Sequence, residues 1–308
     1  MLRTFDWRDL PTLHRYRNQG LCLDAALEAT RGNALVPGIL LSYLSPATGI
    51  YTWVCADECD EQPLMGQVVH PIDATFARIT FLAPIEALES PSILELLDRL
   101  AQQAGEREAF NLLAEVDEGV IAFEALRKAG FAIFARQRVW RLKNGKPAKD
   151  SYWRATNSKD AFSIQALYHN VVPGLVQQVE PLSSKNLNGL VCLDGQDLIG
   201  YADLKYGPHG IWVHPYIHPD VEDIDLWLHT MLQNIPDKRS RAIFICVRTY
   251  QSWLEPALNK MGADPGPMQA VMVKRLAVQQ KVTRPFALPA IEGQPEASAP
   301  IAQSRRNS

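Results

Sequence analysis

Long apolar runs are missing from this 308-residue chain. None reaches the roughly 20 residues that a helix needs to cross a bilayer, and the opening MLRTFDWRDL has no apolar stretch of the kind a secretory leader carries. Surplus charge is missing too. The 31 Lys and Arg against 34 Asp and Glu leave a net −3, which speaks against a general nucleic-acid binder or a protein held on anionic lipid, because affinity for phosphates rests on excess cations. Cysteine is scarce. Cys22, Cys55, Cys59, Cys192 and Cys246 are odd in number and thinly spread, so a disulfide framework is not expected, and Cys192 and Cys246 lie in apolar strand-like runs as reduced, buried thiols. The sequence also lacks GxGxxG, GxxxxGK[ST] and the GxSxG nucleophile elbow. These absences lead us to expect a cytoplasmic protein with neither a membrane nor a nucleic acid as partner.

What is present is a duplication. The run LLAEV leads into EALRKAGF and then ARQRVWRL over residues 112–142, and IFICV leads into PALNKMGA and then AVMVKRL over residues 243–276. Leu126 and Gly130 are answered by Leu258 and Gly262, a shift of 132 residues (262 − 130), close to half the chain. A strand, a helix closed by Gly and a second strand form a supersecondary unit, and its recurrence at this distance predicts two copies of one domain. At 47% hydrophobic and 21% charged residues, the composition supplies a core for each copy.

The first copy is expected over residues 1–142. It begins with a strand at 2–7, a short helix capped by Asp9, and a second helix over 23–30 ending at Gly32. LVPGILLSYL (35–44) reads as buried helix. A hairpin pairs GIYTWVCA (49–56) with LMGQVVH (64–70) around the acidic loop DECDEQP, before the strand ARITFL (77–82) and the helix SILELLDRLAQQA (92–104). KNGKPAKD (143–150) is charged and turn-rich, and reads as a linker. The order then begins again over residues 151–277, with SYWRAT as a strand, a helix at 159–169, a hairpin about Asp194-Gly195-Gln196, the strand GIWVHP (210–215) and a helix at 221–234. From 278 to 308 the chain is Pro-rich among small and polar residues, and a disordered tail is expected.

Several polar groupings carry simpler readings. His214 and His218 have the i, i+4 spacing of a helical zinc pair, but Pro215 and Pro219 argue against a helix there, so neither they nor the neighbouring His209 and His229 are expected to bind metal. Cys55 and Cys59, with Asp57 and Asp60, lack a second Cys or His pair and read as a strand end and a solvated loop. Arg136, Arg138 and Arg141 read as one solvated strand face.

The element order, the hairpin strand LIGYADL, and EALRKAGF and PALNKMGA each followed by a strand resemble the GNAT superfamily of N-acyltransferases, here as a tandem pair. The resemblance spans residues 1–142 and 151–276. It implies an α/β (α+β) fold of two GNAT-like domains, each a mixed, mostly antiparallel sheet flanked by helices. It further implies acetyl-CoA or another acyl-CoA as donor and an amine as acceptor. In the second copy the donor would lie in the splay between Trp212, Val213 and His214 on one strand and Ile245 and Val247 on the next.

The chain departs from the family's pattern at two places. The family holds the donor's pyrophosphate on a loop of the form Arg or Gln, two residues, Gly, one residue, then Gly or Ala, at a helix N-terminus. Here the corresponding segments are HPDVEDID (218–225), with Asp220, Glu222, Asp223 and Asp225, and PIEALESPS (84–92), with Glu86 and Glu89. Carboxylates there favour the helix but repel phosphate. The tyrosine that often protonates the departing thiolate is replaced by Leu126 and Leu258, which cannot donate a proton. Tyr250 is the substitute in the second copy, and Asp117 and Glu118 occupy the comparable place in the first. Two functions stay open: acyl transfer by the second copy, or a non-catalytic binding or scaffolding protein derived from the family.

Overall fold

The computed structural model describes residues 1–32, 49–56, 63–71, 74–142, 153–183, 187–195 and 197–276. The LVPGILLSYL helix, most of the acidic loop, the linker and the tail were expectations that lie outside these residues. The first half runs β1 (Leu2–Thr4), α1 (Leu10–Tyr16), β2 (Leu21–Cys22), α2 (Ala25–Arg31), β3 (Ile50–Cys55), β4 (Leu64–Val69), β5 (Phe76–Ala83), α3 (Ser92–Glu106), β6 (Asn111–Asp117), α4 (Ile121–Lys128) and β7 (Ala132–Leu142). The second half repeats this order, without a counterpart of β2 among the described residues, as β8 (Trp153–Ala155), α5 (Ala161–Val171), α6 (Gly174–Val179), β9 (Gly189–Asp194), β10 (Asp197–Tyr206), β11 (Gly210–Ile217), α7 (Ile224–Asn234), β12 (Ala242–Arg248), α8 (Glu255–Lys260) and β13 (Asp264–Arg275). No described helix is long and apolar enough to cross a membrane.

The repeat has a second signature at its start. Arg3 forks onto Asp9 at 2.7 and 2.6 Å, and Arg154 forks onto Asp160 at 2.7 and 2.7 Å, a shift of 151 residues (154 − 3). In both copies the aspartate also closes a capping box, with Asp6 in one and Asn157 in the other, so the strand is clamped to the first helical turn the same way twice. Both helix ends read from the sequence are present. Gly130 and Gly262 have φ of 85° and 73°, and the N–H groups of Phe131 and Ala263 reach back to the carbonyls of Leu126 and Leu258 at 3.0 and 3.1 Å, as in a Schellman closure.

Among the described residues the strands of both halves lie in one sheet, ordered β1-β3-β4-β5-β6-β13-β7-β12-β11-β10-β9-β8. The last strands are exchanged. β13, from the end of the chain, lies antiparallel to β6 of the first half, while β7 of the first half lies antiparallel to β12 of the second. The two exchanged strands pair with each other at the centre, where Gln137 faces Gln269 and their side chains bond at 3.0 Å. These glutamines are also 132 residues apart (269 − 137), so equivalent residues meet as they would across the two-fold axis of a dimer.

Each half has a core on the α3/α4 or α7/α8 side that the other half's exchanged strand completes, with Ala270 and Met272 in the first and Trp140 and Leu142 in the second. Leu96, Leu97, Leu100 and Ala104 of α3 are buried against β3 and β4, each leucine contributing about 1.5–3 kcal/mol by leaving water. Gly66 permits this approach, since a Cβ there would stand 2.7 Å from Leu100 Cδ1. On the opposite face the halves cover one another. Ala25 and Ala29 of α2 pack over Trp212 and Cys246 of the second half, and Val179 of α6 packs on Leu113 and Val273.

Candidate active site in the second half

In each half two adjacent parallel strands pair for a few residues and then part. β5 and β6 pair from Phe76–Asn111 to Arg78–Leu113, and β11 and β12 pair from Gly210–Ala242 to Val213–Ile245. Beyond those points backbone N–H and C=O groups face an opening and need partners. The first half fills its opening with its own chain. Leu21 and Cys22 pair with Leu82 and Phe81, the Leu23 N–H donates to Thr80 O at 2.9 Å, the Glu115 N–H donates to Leu23 O at 2.9 Å, and the Ile85 N–H donates to Gln19 O at 2.9 Å. Residues 19–23 thus act as an inserted strand that satisfies both lips.

The second half has no such segment among its described residues, and chain length gives the reason. Between α1 and α2 lie residues 17–24, whereas only Val172 and Pro173 separate the longer α5 from α6. Two residues cannot reach across and back. Instead, the fully buried Gln251 sends Nε2 to Pro215 O at 2.9 Å from the turn after β12.

The expected donor-site residues divide between the two faces of the sheet. Val213, Ile245 and Val247 are fully buried in the core beneath α7 and α8. Trp212 is buried on the other face under α2. Of this group, those three could therefore contribute only backbone to the opening, and Trp212 lies under helix rather than beside a ligand. His214 shares the face of Trp212, and its Nδ1 meets the Tyr216 hydroxyl at 3.2 Å. Burial, and then the Arg248 guanidinium, push the His214 imidazole down to about 3, so it is neutral through the physiological range.

Tyr250 is half-buried in the turn that follows β12 and packs against the cluster of Tyr168, Val172, Tyr201 and Tyr216 beneath α5 and α6. Burial raises its phenol, which therefore keeps its proton and can act only as a donor. Leu126 and Leu258 are fully buried core residues. In the first half Asp117 ends β6, and Glu118 pairs with Arg136 at 2.6 Å. The three β7 arginines do not form one solvated face: Arg138 pairs with Glu255 at 3.1 Å, and Arg141 lies over the Phe244 ring. Alternation along a strand predicts facing but not partners brought by the neighbouring strand.

Four residues escaped the sequence reading. Arg78 of β5 bonds Glu115 at 2.9 Å and also contacts Glu180, which follows α6. Arg248 at the end of β12 bonds Glu180 at 2.9 Å. Glu115 also accepts the Ala25 N–H at 2.9 Å. Two arginines and two glutamates, one of each from either half, thus form a buried network at the edge of the second opening. The two guanidinium groups outweigh the cost of burial and hold Glu180 down to about 2. Nothing in the sequence announces this, because the four residues lie 37 to 170 positions apart (115 − 78 and 248 − 78). Along the opening His214 Nε2, Gln251 Oε1, Arg248 Nε and Arg248 Nη1 are buried without a partner.

The acidic segment stands where the sequence placed it. α7 starts at Ile224 behind Asp223, whose φ is 55° and whose side chain caps nothing. The Asp220 side chain is 88% exposed, and Asp225 is paired with Lys260 at 2.6 Å. A cleft of about 670 Å³ lies between this segment and the β9–β10 turn, lined by His218, Asp220, Glu222 and Trp227. No metal-binding group of three or more His, Cys, Asp or Glu occurs among the described residues. Cys22, Cys55, Cys192 and Cys246 are thiols, and all but Cys22 are buried.

The overall fold is shared with solved structures. A GCN5-related N-acetyltransferase from Sphaerobacter thermophilus superposes with a TM-score of 0.54 at 10% identity, covering 89% of this chain and 95% of that one. A protein of Pyrococcus horikoshii named as a proposed acetyltransferase gives 0.53 at 12% identity over 92% and 91%, and another from Thermoplasma acidophilum gives 0.50 at 11% identity over 89% and 99%. The fold is that of the GNAT N-acetyltransferases. No known family profile matches the chain, and no curated protein matches its sequence. At such identities the GNAT likeness lies in the backbone, and site chemistry rests on the residues described above.

Proposed function

We propose that the chain transfers an acyl group from an acyl-CoA-type thioester to an amine, and that it does so in the second half alone. The observation that carries this reading is the contrast between the openings: the first is filled by residues 19–23, while the second keeps unpartnered donors and acceptors along its lips. Those groups fit the amide-bearing arm of the donor. The backbone beyond Val213, together with Gln251 and Arg248, would hold it, and the donor when bound supplies the activated acyl group.

The protein's own contribution is to orient and to move protons. The amine enters in its neutral form, because His214, held down to about 3, is too weak a base to deprotonate an ammonium and serves as a hydrogen-bond partner beside the Tyr216 hydroxyl, while Tyr250 keeps a proton that it can give to the departing sulfur. Asymmetry of this kind predicts one donor site per chain. Titration calorimetry with acetyl-CoA tests it, with a stoichiometry near one expected. Two sites, or saturable binding that survives a Gln251→Trp block of the second opening, would contradict the assignment. Absence of any binding would instead favour a scaffolding protein that has kept the fold.

A further inference from the structure

The openings and the acidic segment make different demands on a donor. The buried groups along the second opening are a mixture of donors and an acceptor: Arg248 Nε and Nη1 donate, Gln251 Oε1 accepts, and the His214 Nε2 can do either. Their surroundings are close to neutral in charge, because Arg78 and Arg248 are balanced by Glu115 and Glu180. Such a lining suits a neutral chain of amides and not an anion. Gln251 already satisfies Pro215 O with a primary amide, which shows that this lip accepts an amide N–H and leaves Gln251 Oε1 as the free acceptor.

Outside the opening the terms reverse. Asp220, Glu222 and Asp223 crowd the turn before α7, and Asp223 directs no side-chain bond to the helix it precedes. The nearby Lys260 is committed to Asp225. Among the described residues a phosphate would find there the uncapped first-turn N–H groups of α7 and His218, set against its own desolvation and repulsion by three carboxylates.

We infer that the second opening recognises the pantetheine thioester itself and takes no binding energy from the nucleotide, so that acyl-pantetheine donors serve as well as acyl-CoA. This rests on the acyl-transfer reading and narrows its substrate class. The step is the same for either donor: the amine nitrogen bonds to the acyl carbon, the carbon–sulfur bond breaks, the sulfur leaves with the electron pair and takes a proton, and the nitrogen loses one.

The test is calorimetric titration of the full chain with S-acetyl-pantetheine and with acetyl-CoA at low and at raised salt. The expected result is dissociation constants within about threefold of each other, with that for S-acetyl-pantetheine independent of salt. The exposed triple variant Asp220→Asn, Glu222→Gln, Asp223→Asn should tighten acetyl-CoA at least about threefold and leave S-acetyl-pantetheine unchanged. Acetyl-CoA binding tenfold or more tighter than S-acetyl-pantetheine to the unmodified chain would overturn the inference and leave acyl transfer standing. A triple variant that improves neither ligand would also overturn it. Binding of neither ligand at any concentration removes the acyl-transfer reading together with the inference.

Discussion

Replacing Arg78 by Met probes the contact between the halves most directly. Arg78 is the first half's only cation in the buried network, and it touches both Glu115 and Glu180. Met keeps much of the side chain's length and removes the charge. Two carboxylates, with side chains 5% and 19% exposed, are then left with Arg248 alone, which stands 2.9 Å from Glu180 and 3.9 Å from Glu115. Breaking a buried pair by removing one partner costs about 3–5 kcal/mol, because the remaining charge stays desolvated.

The pH dependence gives an upper bound of the same order, because Arg248 shares with Arg78 in holding Glu180 down. Glu180 is drawn from its ordinary 4.5 to about 2, and a difference of about 2.5 units corresponds to about 3 kcal/mol of linkage. A carboxylate lowered on folding contributes stability that is fully present above pH 4.5 and is lost as pH falls towards 2. The gap between wild type and Arg78→Met should therefore be about 3–5 kcal/mol at pH 7 and shrink steadily between pH 4.5 and 2. At roughly 2–4 °C per kcal/mol the melting temperature should fall by about 6–20 °C. Denaturant unfolding across that pH range is the assay. A gap under about 1 kcal/mol at pH 7, or one that stays constant on acidification, refutes the view that the network is a buried electrostatic joint.

Gly130→Val and Gly262→Val should each destabilise by about 1–3 kcal/mol. A Cβ at either position meets nothing within 4 Å, so the whole effect is backbone strain at positive φ, and unchanged denaturation midpoints at both would remove the helix-end assignment. Tyr250→Phe should leave acetyl-CoA affinity within about twofold and slow single-turnover transfer by about 10²–10⁴ if the phenol is the proton donor. An undiminished rate assigns that role elsewhere. His214, neutral in the fold with a value pushed from 6.5 to about 3, makes the folded state bind fewer protons than the unfolded one below pH 6.5. Stability should therefore fall on acidification from 6.5 in wild type, and less steeply in His214→Gln.

Composition, periodicity and spacing were enough for the local elements and for the duplication. The Leu126–Gly130 and Leu258–Gly262 units end their helices as read, because a left-handed closure is set by Gly within a few residues of its own turn. The two departures from the family's pattern were also legible, since an acidic segment and a leucine are properties of composition at one place. The Arg3–Asp9 and Arg154–Asp160 clamps repeat just as plainly. They were passed over because the intervening segments differ in length, 132 residues of shift at one end becoming 151 at the other.

What the sequence could not decide is which half's strand completes which sheet. β7 and β13 carry similar patterns and are equally able to pair at home, and only the tertiary structure places each beside the other half's partner. The filling of one opening and not the other was hidden for a related reason. LCLD is too short to signal a strand, and it becomes one only because β5 and β6 part on either side of it and leave carbonyl and amide groups to satisfy. The joint of Arg78, Glu115, Glu180 and Arg248 belongs to the same class: each residue is unremarked in its own segment, and the four acquire a role when strand exchange buries them together, where a charge must be paired.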